Sequence, residues 1–248
     1  MVKIIAIGGG ENGRSGTKYE TKQIDEEIVK LSGKKHPEVL FIPPISPFQE
    51  SYFNQMQKIF RRLGCKMSPL YLNDVRFSTK ELEKTVLGHD IIYVGGGNTL
   101  KMLKSWRKYG LDRVLLKATK KDIVLSGLSA GAICWFRYGC SDSRKNTNPK
   151  KGFIRIKGLD LVQALYCPHY NDHLNRKSDL KKMMERTNEI GLAFDSCSAI
   201  EIIDNEYRII TSNKKANAYR VYWKNKQYYE EIVEKKNTFS PLKDLLIK

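Results

Sequence analysis

One stretch constrains the fold of this chain more than any other, the run from Asp122 to Ala132. An apolar segment rich in β-branched residues stops at Gly127, Ser129 follows, and a second apolar segment continues to Phe136. The pattern Gly-Leu-Ser-Ala-Gly at 127–131 fits Gly-x-Ser-x-Gly, which is typical of a sharp turn between a strand and a helix. Because so tight a turn strains the backbone, its flanking positions need small residues. We therefore expect a strand, an exposed Ser129 hydroxyl, and a helix whose N-terminus can hold an oxyanion.

Length and composition indicate a globular protein. A chain of 248 residues with 41% hydrophobic content is long enough for a large α/β domain with a buried core. We expect one domain over residues 1–248. No apolar run approaches the ~18 residues of a membrane span, and the N-terminus shows no signal-peptide pattern. The five cysteines form no Cys-x-x-Cys pair, which favours reduced thiols in a cytoplasmic protein. Because no apolar span is present in the sequence, we expect no membrane partner.

The formal charge of +17 raises nucleic acid as a partner. The basic doublets are spread along the whole chain, however, and no stripe of aromatic residues accompanies them. A lysine-rich, solvated surface explains this charge better, although its field can attract small acidic substrates. We therefore expect no nucleic-acid partner.

Strands alternate with helices over the first half of the chain. The strands are predicted at Lys3–Ile7, Glu38–Ile42, Cys65–Leu72, Asp90–Val94 and Asp122–Ser126. This alternation predicts parallel βαβ units in a three-layer α/β/α sandwich with a mostly parallel sheet. Farther along, residues 138–152 are polar and are interpreted as a long surface loop at a substrate rim. Residues 219–223 and 227–233 predict a C-terminal β-hairpin.

Two glycine triplets follow predicted strands. Gly8-Gly9-Gly10 resembles the start of a dinucleotide loop, but the next helix is delayed to about Thr21, so we discount nucleotide binding. The run from Gly95 to Thr99 follows the fourth strand and lets backbone N–H groups approach a ligand closely. Ligands collect at the carboxyl ends of parallel strands. This second triplet and the serine turn are therefore expected at one edge of the sheet.

A serine nucleophile needs a base, and the base needs an orienting acid. His169 follows an apolar run and a proline, which makes it the preferred base over His173. Asp195 stands at the end of another predicted strand and is the preferred acid, with Asp172 as its rival. An ordinary α/β-hydrolase is disfavoured, since its histidine follows its acid and no histidine follows His173.

These motifs resemble those of the aspartyl dipeptidase family, which comprises dipeptidase E and relatives that include cyanophycinase. The matching segments are Val94–Thr99, Gly127–Ala132, Pro168–Tyr170 and Ile190–Leu192. The resemblance runs from Lys3 to about Ile210. It implies a class-I glutamine-amidotransferase-like, flavodoxin-type sandwich and a serine peptidase without a cofactor or metal.

The resemblance also implies residue roles. They are Ser129 as nucleophile, His169 as base, the N–H groups of Gly97 and Ala130 as oxyanion hole, and Asn98 and Arg176 as substrate-binding residues. The implied substrate is a small peptide, with N-terminal aspartate as one option. The acid-bearing segment departs from the family, whose members often carry glutamate there. Here it reads Ala-Phe-Asp-Ser-Cys at 193–197, so Asp195 is preferred while an ungapped alignment places Ser196 at that position.

The sequence thus favours a serine hydrolase of dipeptidase type. A catalytically silent binding or regulatory protein of the same fold is the alternative, because the third catalytic residue departs from the family pattern. The oligomeric state is left open, with a homodimer among the options.

Overall fold

The computed structural model describes residues 1–13, 16–72, 77–145, 148, 151–172 and 175–248. Its strands are β1 (Lys3–Ile7), β2 (Glu38–Ile42), β3 (Lys66–Pro69), β4 (Ile91–Val94), β5 (Val124–Leu128), β6 (Phe136–Ser141), β7 (Ile154–Lys157), β8 (Val162–Cys167), β9 (Gly191–Phe194), β10 (Ser198–Ile203), β11 (Glu206–Thr211), β12 (Ala218–Lys224), β13 (Gln227–Val233) and β14 (Ser240–Pro241). Its helices are α1 (Lys22–Leu31), α2 (Gln49–Arg62), α3 (Thr79–Leu87), α4 (Thr99–Tyr109), α5 (Leu111–Ala118), α6 (Ala130–Ile133), α7 (Arg176–Met184) and α8 (Leu242–Leu246).

The first sheet has the strand order β14-β11-β10-β1-β5-β4-β2-β3. Strands β1 to β5 run parallel to one another, whereas β10 pairs antiparallel with β1, and β11 and β14 continue the sheet in antiparallel pairs. Buried side chains of α1 and α2 pack on one face of this sheet, and those of α3, α4 and α5 pack on the other. The predicted α/β sandwich with parallel βαβ units is therefore confirmed.

A second sheet, with the order β13-β12-β9-β8-β6-β7, lies beside the second face of the first sheet. Its far face is covered by α7 through Leu180 and Met184. The predicted C-terminal hairpin is present as β12 and β13, and β12 pairs antiparallel with β9 to make the hairpin part of this sheet. The sequence did not predict this sheet as a separate layer.

The chain after Ser129 differs from the prediction. Helix α6 ends at Ile133, and β6 occupies Phe136–Ser141, where the sequence predicted a continued apolar segment followed by a loop from 138. The cause is long-range pairing, because Leu159 N–H donates to Cys134 O at 2.8 Å and Leu161 N–H donates to Trp135 O at 2.9 Å. Those carbonyl groups are taken by a distant segment, so the helix stops after one turn.

Strand β1 joins the two sheets. It pairs with β5 on one side and with β10 on the other. From the second sheet, the hydroxyl of Tyr166 donates to Ala6 O at 3.0 Å, and its ring stacks on Phe194 with centroids 4.9 Å apart. The loops that follow β1, β5 and β8 consequently meet at one place.

Candidate active site

Ser129 sits in a tight turn between β5 and α6. Its backbone has φ 56° and ψ −110°, which is a strained conformation for a residue with a side chain. A Cβ at Gly127 would lie 2.4 Å from Gly131 O, and a Cβ at Gly131 would lie 2.2 Å from Val94 O. Both glycines of the motif are therefore required by packing, and the turn presents Ser129 to the cleft.

His169 faces Ser129 across the cleft. Its Nε2 lies 2.9 Å from Ser129 Oγ, which is hydrogen-bond distance for a nucleophile and its base. His169 follows the end of β8 and has a positive φ of 51°. The predicted pair of Ser129 and His169 is thus brought together, whereas His173 lies outside the described residues.

The second ring nitrogen of His169 contacts two side chains. Nδ1 lies 3.0 Å from Ser196 Oγ and 3.1 Å from Asp172 Oδ2. The hydroxyl of Ser196 also donates to Asp172. A proton on Nδ1 satisfies both acceptors, and in this tautomer Nε2 can accept a proton from Ser129. Ser129, His169, Ser196 and Asp172 form a continuous hydrogen-bonded chain.

Asp195 lies in a different environment from the one predicted. Its Oδ2 accepts from Asn217 N–H at 2.9 Å and from the Tyr219 hydroxyl at 3.4 Å. Its Oδ1 has no hydrogen-bond partner among the described residues. Desolvation by burial raises the pKa of this carboxyl above its ordinary value. The structure therefore places the carboxylate of Asp172, rather than that of Asp195, against His169.

The glycine loop after β4 lies beside the nucleophile. A Cβ at Gly96 would lie 3.6 Å from Ser129 Cβ, and a Cβ at Gly97 would lie 2.4 Å from Pro44 Cβ. Among the described residues, the N–H groups of Gly97 and Ala130 donate to no protein acceptor. These two amides are available to an oxyanion at the Ser129 side of the cleft.

The two predicted substrate-binding residues differ in accessibility. Asn98 lines the cleft, caps α4 by accepting from Lys101 N–H at 3.0 Å, and donates from Nδ2 to Ser143 O at 3.0 Å. Arg176 is only 1% exposed, and it is not among the described residues that line the cleft. Its guanidinium packs over the Phe153 ring and lies 3.8 Å from Asp142, which does line the cleft.

The cleft has a volume of about 1290 Å³. Its described carboxylates are those of Glu11, Glu20, Asp142 and Asp172, and Lys101 supplies a positive charge. No cluster of three or more potential metal ligands occurs among the described residues. In that same part of the chain, no helix has the length and apolar character needed to cross a membrane.

Comparisons with known proteins identify this chain as a serine-type peptidase and specify its family. The sequence profile of Peptidase family S51 matches residues 4–210, so the chain belongs to that family. The uncharacterized peptidase YgaJ of Bacillus subtilis (strain 168) is 33% identical over 225 residues, which cover 89% of this chain and 92% of that protein. The resemblance to dipeptidase E and its relatives is confirmed.

Solved structures agree on the fold. A peptidase from an acI-B1 Actinobacterium superposes with a TM-score of 0.73 at 15% identity and covers 97% of each chain. A peptidase E-type protein from Listeria monocytogenes EGD-e has a TM-score of 0.63 at 22% identity, over 85% of this chain and 98% of that one. These structures share the α/β fold of the chain. Its membership in Peptidase family S51 makes it a peptidase of dipeptidase E type.

Proposed function

We propose that this protein cleaves small peptides through an acyl-enzyme intermediate on Ser129. The observation that carries the proposal is the 2.9 Å contact between Ser129 Oγ and His169 Nε2, with Nδ1 of the same ring facing Ser196 and Asp172. His169 takes the hydroxyl proton as Ser129 Oγ attacks the peptide carbonyl, and it returns that proton to the leaving amine. A water molecule then hydrolyses the acyl-enzyme by the reverse use of the same base.

The orienting group in this proposal is Asp172 acting with Ser196. The carboxylate holds the proton on Nδ1 and stabilises the imidazolium that forms during the attack. The Ser196 hydroxyl accepts from Nδ1 while it donates to Asp172, so it links the carboxylate to the imidazole ring by a second hydrogen-bonded route. Asp195, the acid preferred from the sequence, is assigned instead to holding Asn217 and Tyr219.

The oxyanion hole is assigned to the N–H groups of Gly97 and Ala130. Each donor of this kind lowers the barrier by roughly 3 kcal/mol. Asn98 is assigned to the substrate because it lines the cleft beside Gly97. Preference for N-terminal aspartate stays a prediction, since four carboxylates and one lysine line the described cleft and Arg176 is buried behind Asp142. The cytoplasmic location and the homodimer also stay predictions.

Hydrolysis assays test this function. The purified protein is given a panel of dipeptides with acidic, neutral and basic N-terminal residues, and released amino acids are quantified. We expect cleavage of at least one class, and a loss on the order of a million-fold in kcat for Ser129→Ala. If wild type cleaves no member while it binds the same peptides tightly, the protein is a silent binding protein of this fold.

A further inference from the structure

The last residue of β1 and the first two glycines after it accept hydrogen bonds from three segments of the active site. Three consecutive carbonyl groups each accept one backbone N–H, from Ser129 to Ile7 at 2.9 Å, from His169 to Gly8 at 2.8 Å, and from Cys197 to Gly9 at 2.9 Å. The Gly8 N–H donates to Ser198 O at 2.8 Å, so this backbone bonds mainly within the protein. The triplet discounted above as a nucleotide loop therefore binds the segments of His169 and Cys197, and the adjoining Ile7 binds that of Ser129.

The three N–H donors belong to segments that are far apart in the sequence. Ser129 follows β5, His169 follows β8 of the second sheet, and Cys197 precedes β10. All three have positive φ angles, of 56°, 51° and 68° respectively. Such angles are costly for residues with side chains and persist only where surrounding contacts hold them. Residues 7–9, at and just after the end of β1, supply one such contact to each of the three residues.

Gly9 also borders the functional side chains directly. A Cβ at this position would lie 2.4 Å from His169 Cε1, 2.4 Å from His169 Nδ1 and 2.5 Å from Ser196 Oγ. Carbon atoms in contact need about 3.5 Å or more. Any side chain at Gly9 must therefore displace the imidazole ring, the Ser196 hydroxyl or both by about 1 Å. The ring is an end of a side chain and can move, whereas β1 lies fixed between two strands.

We propose that Gly9 is a positioning residue of the active site, whose missing side chain leaves the space for the His169–Ser196 contact. The segment from Ile7 to Gly9 then sets the relative placement of the nucleophile, the base and the orienting hydroxyl. This inference rests on the proposed function for its catalytic readout, while its geometric claim concerns the ring of His169 alone.

Gly9→Ala tests the proposal, with Gly33→Ala as a matched control. A Cβ at Gly33 meets no atom within 4 Å. An error of about 1 Å in a catalytic group can cost about 100-fold, so we expect Gly9→Ala to lower kcat by about that factor. KM should stay within about three-fold of wild type, because the displaced groups are not the binding residues. Gly33→Ala should leave both constants unchanged. Wild-type kcat in a folded Gly9→Ala protein would overturn the proposal.

A double-mutant cycle tests the geometry without an activity assay. Thermal midpoints are measured for wild type, Gly9→Ala, His169→Ala and the double variant. If the new methyl group meets the imidazole, its destabilising effect must shrink once the ring is removed. An equal loss in both backgrounds would refute the contact. If Gly9→Ala alone is unfolded, a folded double variant would support the contact and an unfolded double variant would refute it. Should wild type prove inactive on every peptide, the proposed function fails while this cycle still decides the role of Gly9.

Discussion

Replacing Asp172 by asparagine removes the charge that faces His169 and keeps the shape of the side chain. An amide N–H at this position would favour the histidine tautomer with its proton on Nε2, and that tautomer cannot accept a proton from Ser129. The corresponding change in a serine protease lowers kcat by about 10⁴. Here Asp172 is 37% exposed and Ser196 still contacts Nδ1, so both features weaken the effect. We expect a fall of about 10² to 10³ in kcat, which is roughly 3 to 4 kcal/mol of barrier.

The assay is the initial rate on whichever dipeptide wild type cleaves fastest, measured from pH 6 to pH 9. Asp195→Asn is the matched control, because an asparagine oxygen can still accept from Asn217 N–H and from the Tyr219 hydroxyl. We expect its kcat to stay within about five-fold of wild type. The assignment is refuted if Asp195→Asn loses as much activity as Asp172→Asn or more.

Three further predictions concern the shell around the site and the fold. Burial raises the pKa of Asp25 to about 7, so the folded state binds this proton more tightly than the unfolded state, whose pKa is near 4. The stability from protonated Asp25 is full below about pH 4 and is lost as pH rises through about 7, by roughly 4 kcal/mol at most. In Asp25→Asn, the free energy of unfolding in urea should vary less with pH over that window than it does in wild type. An unchanged pH dependence would contradict the raised pKa of Asp25. Tyr52→Phe removes the hydroxyl that accepts from Gly96 N–H at 3.3 Å. We therefore expect kcat to fall about ten-fold or less with KM nearly constant, and a change confined to KM would contradict this expectation. Arg208→Met leaves the 1%-exposed Glu201 without its 2.6 Å partner, which should cost about 3 kcal/mol in chemical denaturation, and a neutral result would show that the pair adds nothing.

The parts of the site that could be predicted from the sequence are those encoded locally. The turn at Ser129 could be predicted because its glycines contact each other within the motif, where a Cβ at Gly127 would lie 2.4 Å from Gly131 O. His169 could be ranked above the other histidines because it directly follows a strand that ends at the same edge of the fold. In both cases, neighbouring residues in the sequence determine the geometry.

The orienting residues depend on contacts between loops, and no local pattern reports such contacts. Asp172 could be weighed as a rival although it lies only three residues after His169, and Ser196 could be weighed because an ungapped alignment places it at the position of the acid. Their meeting depends on how the loop after β8 packs against the loop before β10, where Asn171 Oδ1 accepts from Ser196 N–H at 3.1 Å. Asp195 alternates to the other side and reaches Asn217 instead.

The second sheet was missed for a similar reason. Strand β6 begins almost directly after α6, so the two read as one apolar segment. Its partners, β7 and β8, are distant in the sequence, and parallel pairing with β8 leaves no hairpin signal. Likewise, the role of Gly9 depends on the imidazole of a residue far along the chain.

Labelling with a fluorophosphonate probe tests the central claim most directly. The reagent phosphonylates an activated serine oxygen with loss of fluoride, and intact mass followed by peptide mapping locates the adduct. We expect one adduct on wild type at Ser129, much slower labelling of His169→Ala, and none on Ser129→Ala. A wild-type protein that stays unlabelled, or that carries the adduct on another serine, would contradict the assignment of Ser129 as an activated nucleophile.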